Sequence, residues 1–314
     1  MYLSAMLVIG SCAFILLIAT RVVHLARAGT DVELPPVVPG TRLLARWAAV
    51  VLALAMLARL FAQTYMVGEG DLTMMTPLLA KTFWGWGWLV GALSTLVVVG
   101  VLFVGRGKRA VWRVTAAGMI GIALSFSLTG HAASESKPIL FVMLDSIHVM
   151  AAGGWLGTLL VVTTVGLRSV LTLSAERRGQ AASELINAFS TFALLCASTL
   201  VITGFVAGWS HLHTLSALWK TAYGQALFRK LVVIGMMALV GAFNWRVIRP
   251  RLANADTIPL LRKSAAVELT FGLVVVILTA ILVGTSPPDS EDAMPGMGMH
   301  SRSPISLTSF QIPT

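Results

Sequence analysis

Eight stretches of this chain stay apolar for about 20 residues at a time, the length a helix needs to cross a hydrocarbon core at about 1.5 Å per residue. They cover residues 2–24, 43–66, 83–104, 111–130, 139–166, 186–209, 227–248 and 266–285. Each run is continuous and does not alternate with period two, so the pattern predicts helices and not barrel strands. Composition closes off the alternatives. Of 314 residues, 57% are hydrophobic and only 11% charged, against about 25% charged in a soluble domain. Mean hydropathy is +0.85. An ordinary cytosolic enzyme, a disordered chain and a coiled coil are all excluded. The expected fold class is all-α, a polytopic integral membrane bundle of eight transmembrane helices over residues 1–286. A flexible tail over 287–314 follows, where composition turns to Pro, Ser and Gly. The first segment has no basic residue ahead of its apolar run, since Arg21 comes at the far end. It therefore reads as a retained span and not as a signal peptide.

Eight spans put both termini on one side, and the basic residues say which. Formal net charge is +10, from 23 Lys and Arg against 13 Asp and Glu. Sixteen of those cations flank the odd loops: Arg21, Arg27, Arg42 and Arg46; Arg106, Lys108, Arg109 and Arg113; Arg168, Arg177 and Arg178; then Arg246, Arg249, Arg251, Arg262 and Lys263. Positive charge marks the cytoplasmic side. Both termini and the even loops are thus expected outside, in the periplasm of a Gram-negative cell. Trp47, Trp84, Trp86, Trp88, Trp112, Trp209 and Trp245 fall near span ends, where an interfacial belt is expected. Cys12 and Cys196 both lie in apolar runs and read as small buried residues, not a disulfide or metal pair.

Five of six histidines fall on the outer half under this topology. His131 ends span four, His148 lies inside span five, His211 and His213 fall in the outer loop between spans six and seven, and His300 is in the tail. Asp145 and His148 are three apart, so they share a helical face, and Trp155 is seven beyond His148. An ionisable pair within a span is costly and points to the bundle interior or to a function. A carboxylate orienting an imidazole is also the usual support of a metal ligand; the plainer reading is a hydrogen bond that locks helix packing. The tail holds Met294, Met297, Met299 and His300 within seven residues, with no core there for methionine to fill. Thioether sulfur is soft, favours Cu(I) and has no proton to lose. Met74 and Met75 extend that chemistry, or simply sit at an interface. Arg59 with Gln63, Arg229 with Lys230, and Glu268 at the depth of Asn244 are further polar groups in spans. They read as helix glue, snorkelling cations or parts of a path.

These residues carry a resemblance. The chain resembles the CopD/PcoD copper-resistance family of bacterial inner-membrane proteins, most strongly over about residues 128–288. The matching pieces are Gly130-His131-Ala132, His148 with Trp155-Leu156-Gly157, Phe189, Thr203-Gly204, and Thr221 to Leu227 with Lys230. Gly241 to Arg246, Leu261-Arg262-Lys263-Ser264 with Glu268, and Thr285-Ser286-Pro287-Pro288 complete the set. Where the family often has Gly-Gly after Trp-Leu, this chain has Gly157-Thr158, a departure expected to affect packing. The resemblance implies an eight-helix inner-membrane protein that handles copper beside periplasmic copper-binding partners.

The expected function is a copper permease and not an enzyme. Met294, Met297, Met299 and His300 capture the ion outside, and His131, His148, His211 and His213 pass it inward, with Asp145 and Trp155 supporting His148. Copper is the expected bound or transported ion, a periplasmic copper-binding protein and lipid the expected partners; no nucleic-acid or nucleotide motif is present. Two rivals stay open. A haem b protein needs two imidazoles at similar depth, and His131 and His148 differ in depth. A scaffold that docks a copper chaperone and transports nothing would use the same outer loops.

Overall fold

A computed structural model describes residues 1–19, 37–105, 109–130, 132, 137–212, 216–252 and 257–283, with the backbone alone at 175, 176, 211 and 212. Helix α1 (Tyr2–Ala13) runs on into a π turn (Phe14–Ile18). Next come α2 (Val37–Val67), the short α3 (Met75–Lys81), α4 (Phe83–Val104) and α5 (Arg109–Leu128). Helix α6 starts as Pro138–Ala152 and continues to Leu171 through π turns at Gly153–Gly157 and Val162–Gly166. Helix α7 is Ala175–Leu212 and the short α8 is Ala217–Lys220. Helix α9 (Ala222–Phe243) ends in a π turn (Asn244–Ile248), and α10 is Ile258–Val283. No strand occurs among the described residues.

Seven of these helices are long and apolar enough to cross a bilayer. Helix α1 is apolar too, but its described helix, Tyr2–Ile18, is shorter than the other seven. The outward surface is apolar as well as the core: Trp47, Leu54, Leu93, Leu96, Leu194 and Leu239 are all more than half exposed. In water so large an apolar surface would drive association. Against lipid chains it costs nothing, which makes the molecule a helical membrane protein.

Helix α1 is the centre of the bundle. Val8, Ile9, Ser11, Cys12, Phe14 and Ile18 are all buried, and the helix packs on α2, α5 and α6. Its closest neighbour is α6, at the first π turn. A β-carbon on Gly10 would lie 2.0 Å from the Gly157 carbonyl carbon, and one on Gly157 1.8 Å from the Met6 oxygen. Two glycines therefore let the backbones touch, as small residues do between membrane helices. Thr158 adds a hydrogen bond to the Gly10 carbonyl (3.3 Å), so the departure from Gly-Gly here does act on packing.

The helices extend beyond the apolar runs. Helix α7 begins eleven residues before residue 186, and α10 eight before residue 266. Those first turns carry Arg177, Arg178, Gln180 and Glu184, or Arg262 and Lys263, polar residues that can be helical outside the hydrocarbon but do not register as apolar. The tryptophan belt also needs correcting. Trp112 is 1% exposed and Trp88 7%, and Trp88 donates from Nε1 to the Met56 carbonyl (3.1 Å). Both are core residues, because α5 and α4 turn those faces inward. Trp47, Trp86, Trp209 and Trp245 remain outside. Cys12 and Cys196 are buried free thiols, as expected.

Opposite bundle ends are tied down differently. At one end, Arg42 and Arg46 of α2 donate to the last carbonyls of α4, at Leu102 and Phe103, offsetting the negative helix terminus. At the other, called here the Tyr2 end, Asp71 caps a 3₁₀ turn (Leu72–Met74) between α2 and α3. Its carboxylate accepts from the Thr73 amide (2.8 Å) and hydroxyl (2.7 Å), and these bonds hold it below the usual carboxylate range.

Candidate functional site

Polar side chains gather inside the Tyr2 end. Ser127 near the end of α5 donates to Oδ2 of Asp145 in α6 (2.8 Å), and the Ser146 hydroxyl lies 3.0 Å from that of Ser127. Tyr2 from α1 and Lys230 from α9 lie within electrostatic reach of the same carboxylate. Asp145 nevertheless keeps an exposed surface.

His148, one turn along α6, faces α7. Its Nδ1 is 2.8 Å from Oγ1 of Thr203. The Thr203 hydroxyl has one proton to give, and the Thr199 carbonyl stands 2.7 Å from it. With that proton directed at the carbonyl, Thr203 accepts from His148 and the imidazole donates from Nδ1. Its Nε2 is left with a free lone pair, the state in which an imidazole ligates a metal. Thr203 is 5% exposed, so water does not compete for the bond. Beside it Gly204 abuts the ring edge, where a β-carbon would lie 3.6 Å from Cε1.

Arg59 of α2 closes the cluster on its other side. It donates from Nη1 to Thr129 Oγ1 (2.8 Å) and from Nη2 to the Thr129 carbonyl (3.0 Å). Its guanidinium also stacks 5.7 Å over the Trp84 ring. The arginine thus caps α5 directly before Gly130 and leaves its charge at the Tyr2 end.

Several expectations change here. Asp145 does not turn to His148: the carboxylate bonds Ser127 of α5 and the imidazole bonds Thr203 of α7. Three residues of separation give a shared face, but neighbouring helices on either side compete for the two groups. Trp155 falls in the π turn Gly153–Gly157. A π turn encloses an extra residue in each hydrogen-bonded ring, so the seven-residue spacing to His148 no longer returns to the same face. His211 lies in the last turn of α7 and not in a loop. His131, His213, Met294, Met297, Met299 and His300 lie outside the described residues, as does the tail. Met74 and Met75 sit half-buried at the start of α3, which favours the interfacial reading for them.

Among the described residues no three His, Cys, Asp or Glu side chains meet to hold a metal. Sequence reasoning missed Thr203 as the partner of His148 and Ser127 as the partner of Asp145. Only the helix-to-helix register reveals either, although Thr203-Gly204 already stood among the resembling pieces.

Fold and site together define a polytopic helical membrane protein with ionisable side chains assembled inside its spans. Comparison with known proteins says which kind. The model for the N-terminal domain of copper resistance protein D-like proteins matches residues 1–138, and the copper resistance protein D model matches residues 183–282. The chain belongs to the copper resistance protein D family. It is 26% identical to the copper transport protein CutJ of Bacillus subtilis over 67% of this chain and 38% of that one. It is 28% identical to the copper resistance protein D of Pseudomonas syringae pv. tomato over 55% of this chain and 59% of that one. The chain thus spans between a third and two thirds of the length of these relatives. No solved structure matches it.

Proposed function

We propose that this chain is an eight-span copper permease of the bacterial inner membrane, with the Tyr2 end outside and copper moving from periplasm to cytoplasm. The observation that carries the reading is the His148–Thr203 hydrogen bond, which leaves an uncommitted imidazole nitrogen inside a span, one turn from the exposed carboxylate of Asp145. Copper is the substrate. Met294, Met297, Met299 and His300 of the tail capture it, His131, His211 and His213 hand it on, and His148 is the ligand within the bundle. Asp145 supplies negative charge beside the path and is not the orienting group of His148. The names of the two relatives support copper as the ion. The basic loops support the orientation, and a periplasmic copper-binding protein is the expected donor.

The test is copper movement by the full chain. Cells carrying the chain should accumulate copper, and replacing His131 and His148 by alanine should abolish that gain at equal protein level. Unchanged accumulation rejects the site. Proteoliposomes holding the chain alone should pass copper; none passing favours a docking scaffold. A reporter fused after Thr314 should be active outside the cytoplasm.

A further inference from the structure

A second polar cluster lies toward the opposite end of the bundle, and copper handling leaves it unused. Glu268 of α10 is 6% exposed, about 15 Å along the helix from Ile258 at 1.5 Å per residue. Its Oε1 accepts from Nδ2 of Asn244, and Oδ1 of Asn244 accepts from the Ser264 hydroxyl. Asn244 is the first residue of the π turn that ends α9, and such turns recur at functional sites. Gly241, one turn earlier, leaves space at the acid: a β-carbon there would stand 3.8 Å from Oε1.

Among the described residues, the charged and titratable groups on the elements packed around Glu268 are committed elsewhere or face outward. On α9, Tyr223, Arg229 and Lys230 belong to the Tyr2 end, and Lys230 is about 21 Å from Asn244 along the helix. Arg246 is exposed, and Arg249 donates to Asn187 of α7. Arg262 and Lys263 on α10 are exposed. The stretch of α6 against α10, Thr158–Val161, has no charge. An amide therefore holds the carboxyl, and a hydroxyl holds the amide. Both are neutral. Inside a span an acid with neutral partners is costly, and such acids serve as proton carriers in membrane pumps and transporters.

We propose that Glu268 is a proton-binding site and that its protonation is coupled to copper passage; the coupling rests on the permease reading above. The proton is taken up on Oε2, because Oε1 already accepts from Asn244. It leaves from the same oxygen, and the Asn244 bond is kept in both states. The reaction is a carboxylate plus one proton giving a carboxylic acid, and nothing else is consumed.

Two measurements on the reconstituted full chain test this. In infrared difference spectra a carboxyl C=O stretch should appear and vanish on pH titration in wild type and be missing in E268Q. That variant keeps the acceptor oxygen for Asn244, and its elution as a single species at wild-type yield shows that it folds. Identical spectra for the two proteins overturn the proton site. In proteoliposomes with a trapped pH dye, copper entry should move protons, and E268Q should reduce that movement to the level of protein-free liposomes. Copper entry without proton movement in wild type, or proton movement retained in E268Q, overturns the coupling. The infrared titration reads Glu268 whether or not copper crosses, so failure of the proton site and failure of the permease reading are told apart.

Discussion

His148 Nδ1 and the Thr203 hydroxyl oxygen are hydrogen-bonded across the contact of α6 with α7, at 2.8 Å. With the Thr203 hydroxyl donating to the Thr199 carbonyl, its oxygen is the acceptor for the imidazole N–H. Replacing Thr203 by valine keeps the volume and removes the acceptor. Groups that orient a ligating histidine in this way are worth about 10- to 100-fold in metal affinity. T203V should weaken Cu(I) binding by that factor, and T203S should preserve it, in competition titrations of the detergent-solubilised full chain against a chromophoric chelator. Equal affinity in T203V removes His148 from the copper site.

The seam between α1 and α6 gives a stability prediction. A methyl at position 10 meets backbone atoms of Gly157 and Thr158, which have no rotamer with which to yield. Overpacking a tight core costs on the order of 3 kcal/mol. G10A should therefore lower the thermal midpoint of the solubilised protein sharply. G100A, where a β-carbon meets nothing within 4 Å, should leave it unchanged.

A pH effect is expected outside the spans. Asp71 is held below the usual carboxylate range by the amide and hydroxyl of Thr73. A depressed pKa contributes order above the unfolded value and loses it as pH falls through the folded one. The turn over Leu72–Met74 should loosen in acid, seen as faster amide exchange at Thr73 after correction for intrinsic chemistry. D71N should show fast exchange at every pH. An acid response surviving in D71N assigns it to another group.

Much of the membrane architecture was legible from apolar run length, because burial in lipid leaves long uninterrupted signatures. Run length could not show the polar first turns of α7 and α10, which are helical without being apolar. Glu268 and Asn244 were legible as a pair at one depth, and the structure joins them directly. Asp145 and His148 were legible as special, but not their partners. Spacing along one helix says which residues share a face. It does not say which neighbouring helix answers, and here α5 answers one and α7 the other. Trp88 and Trp112 misled for a related reason: closeness to a span end says nothing about whether the ring turns in or out.

Helix α1 sits at the middle of the finished bundle, yet the ribosome makes it long before α5 and α6 exist to surround it. Its one buried hydroxyl, Ser11, donates to the Leu7 carbonyl of the same helix (2.7 Å). With that bond satisfied internally, the newborn segment carries no polar debt into the bilayer. It can wait there as a finished post until the later helices arrive and close round it.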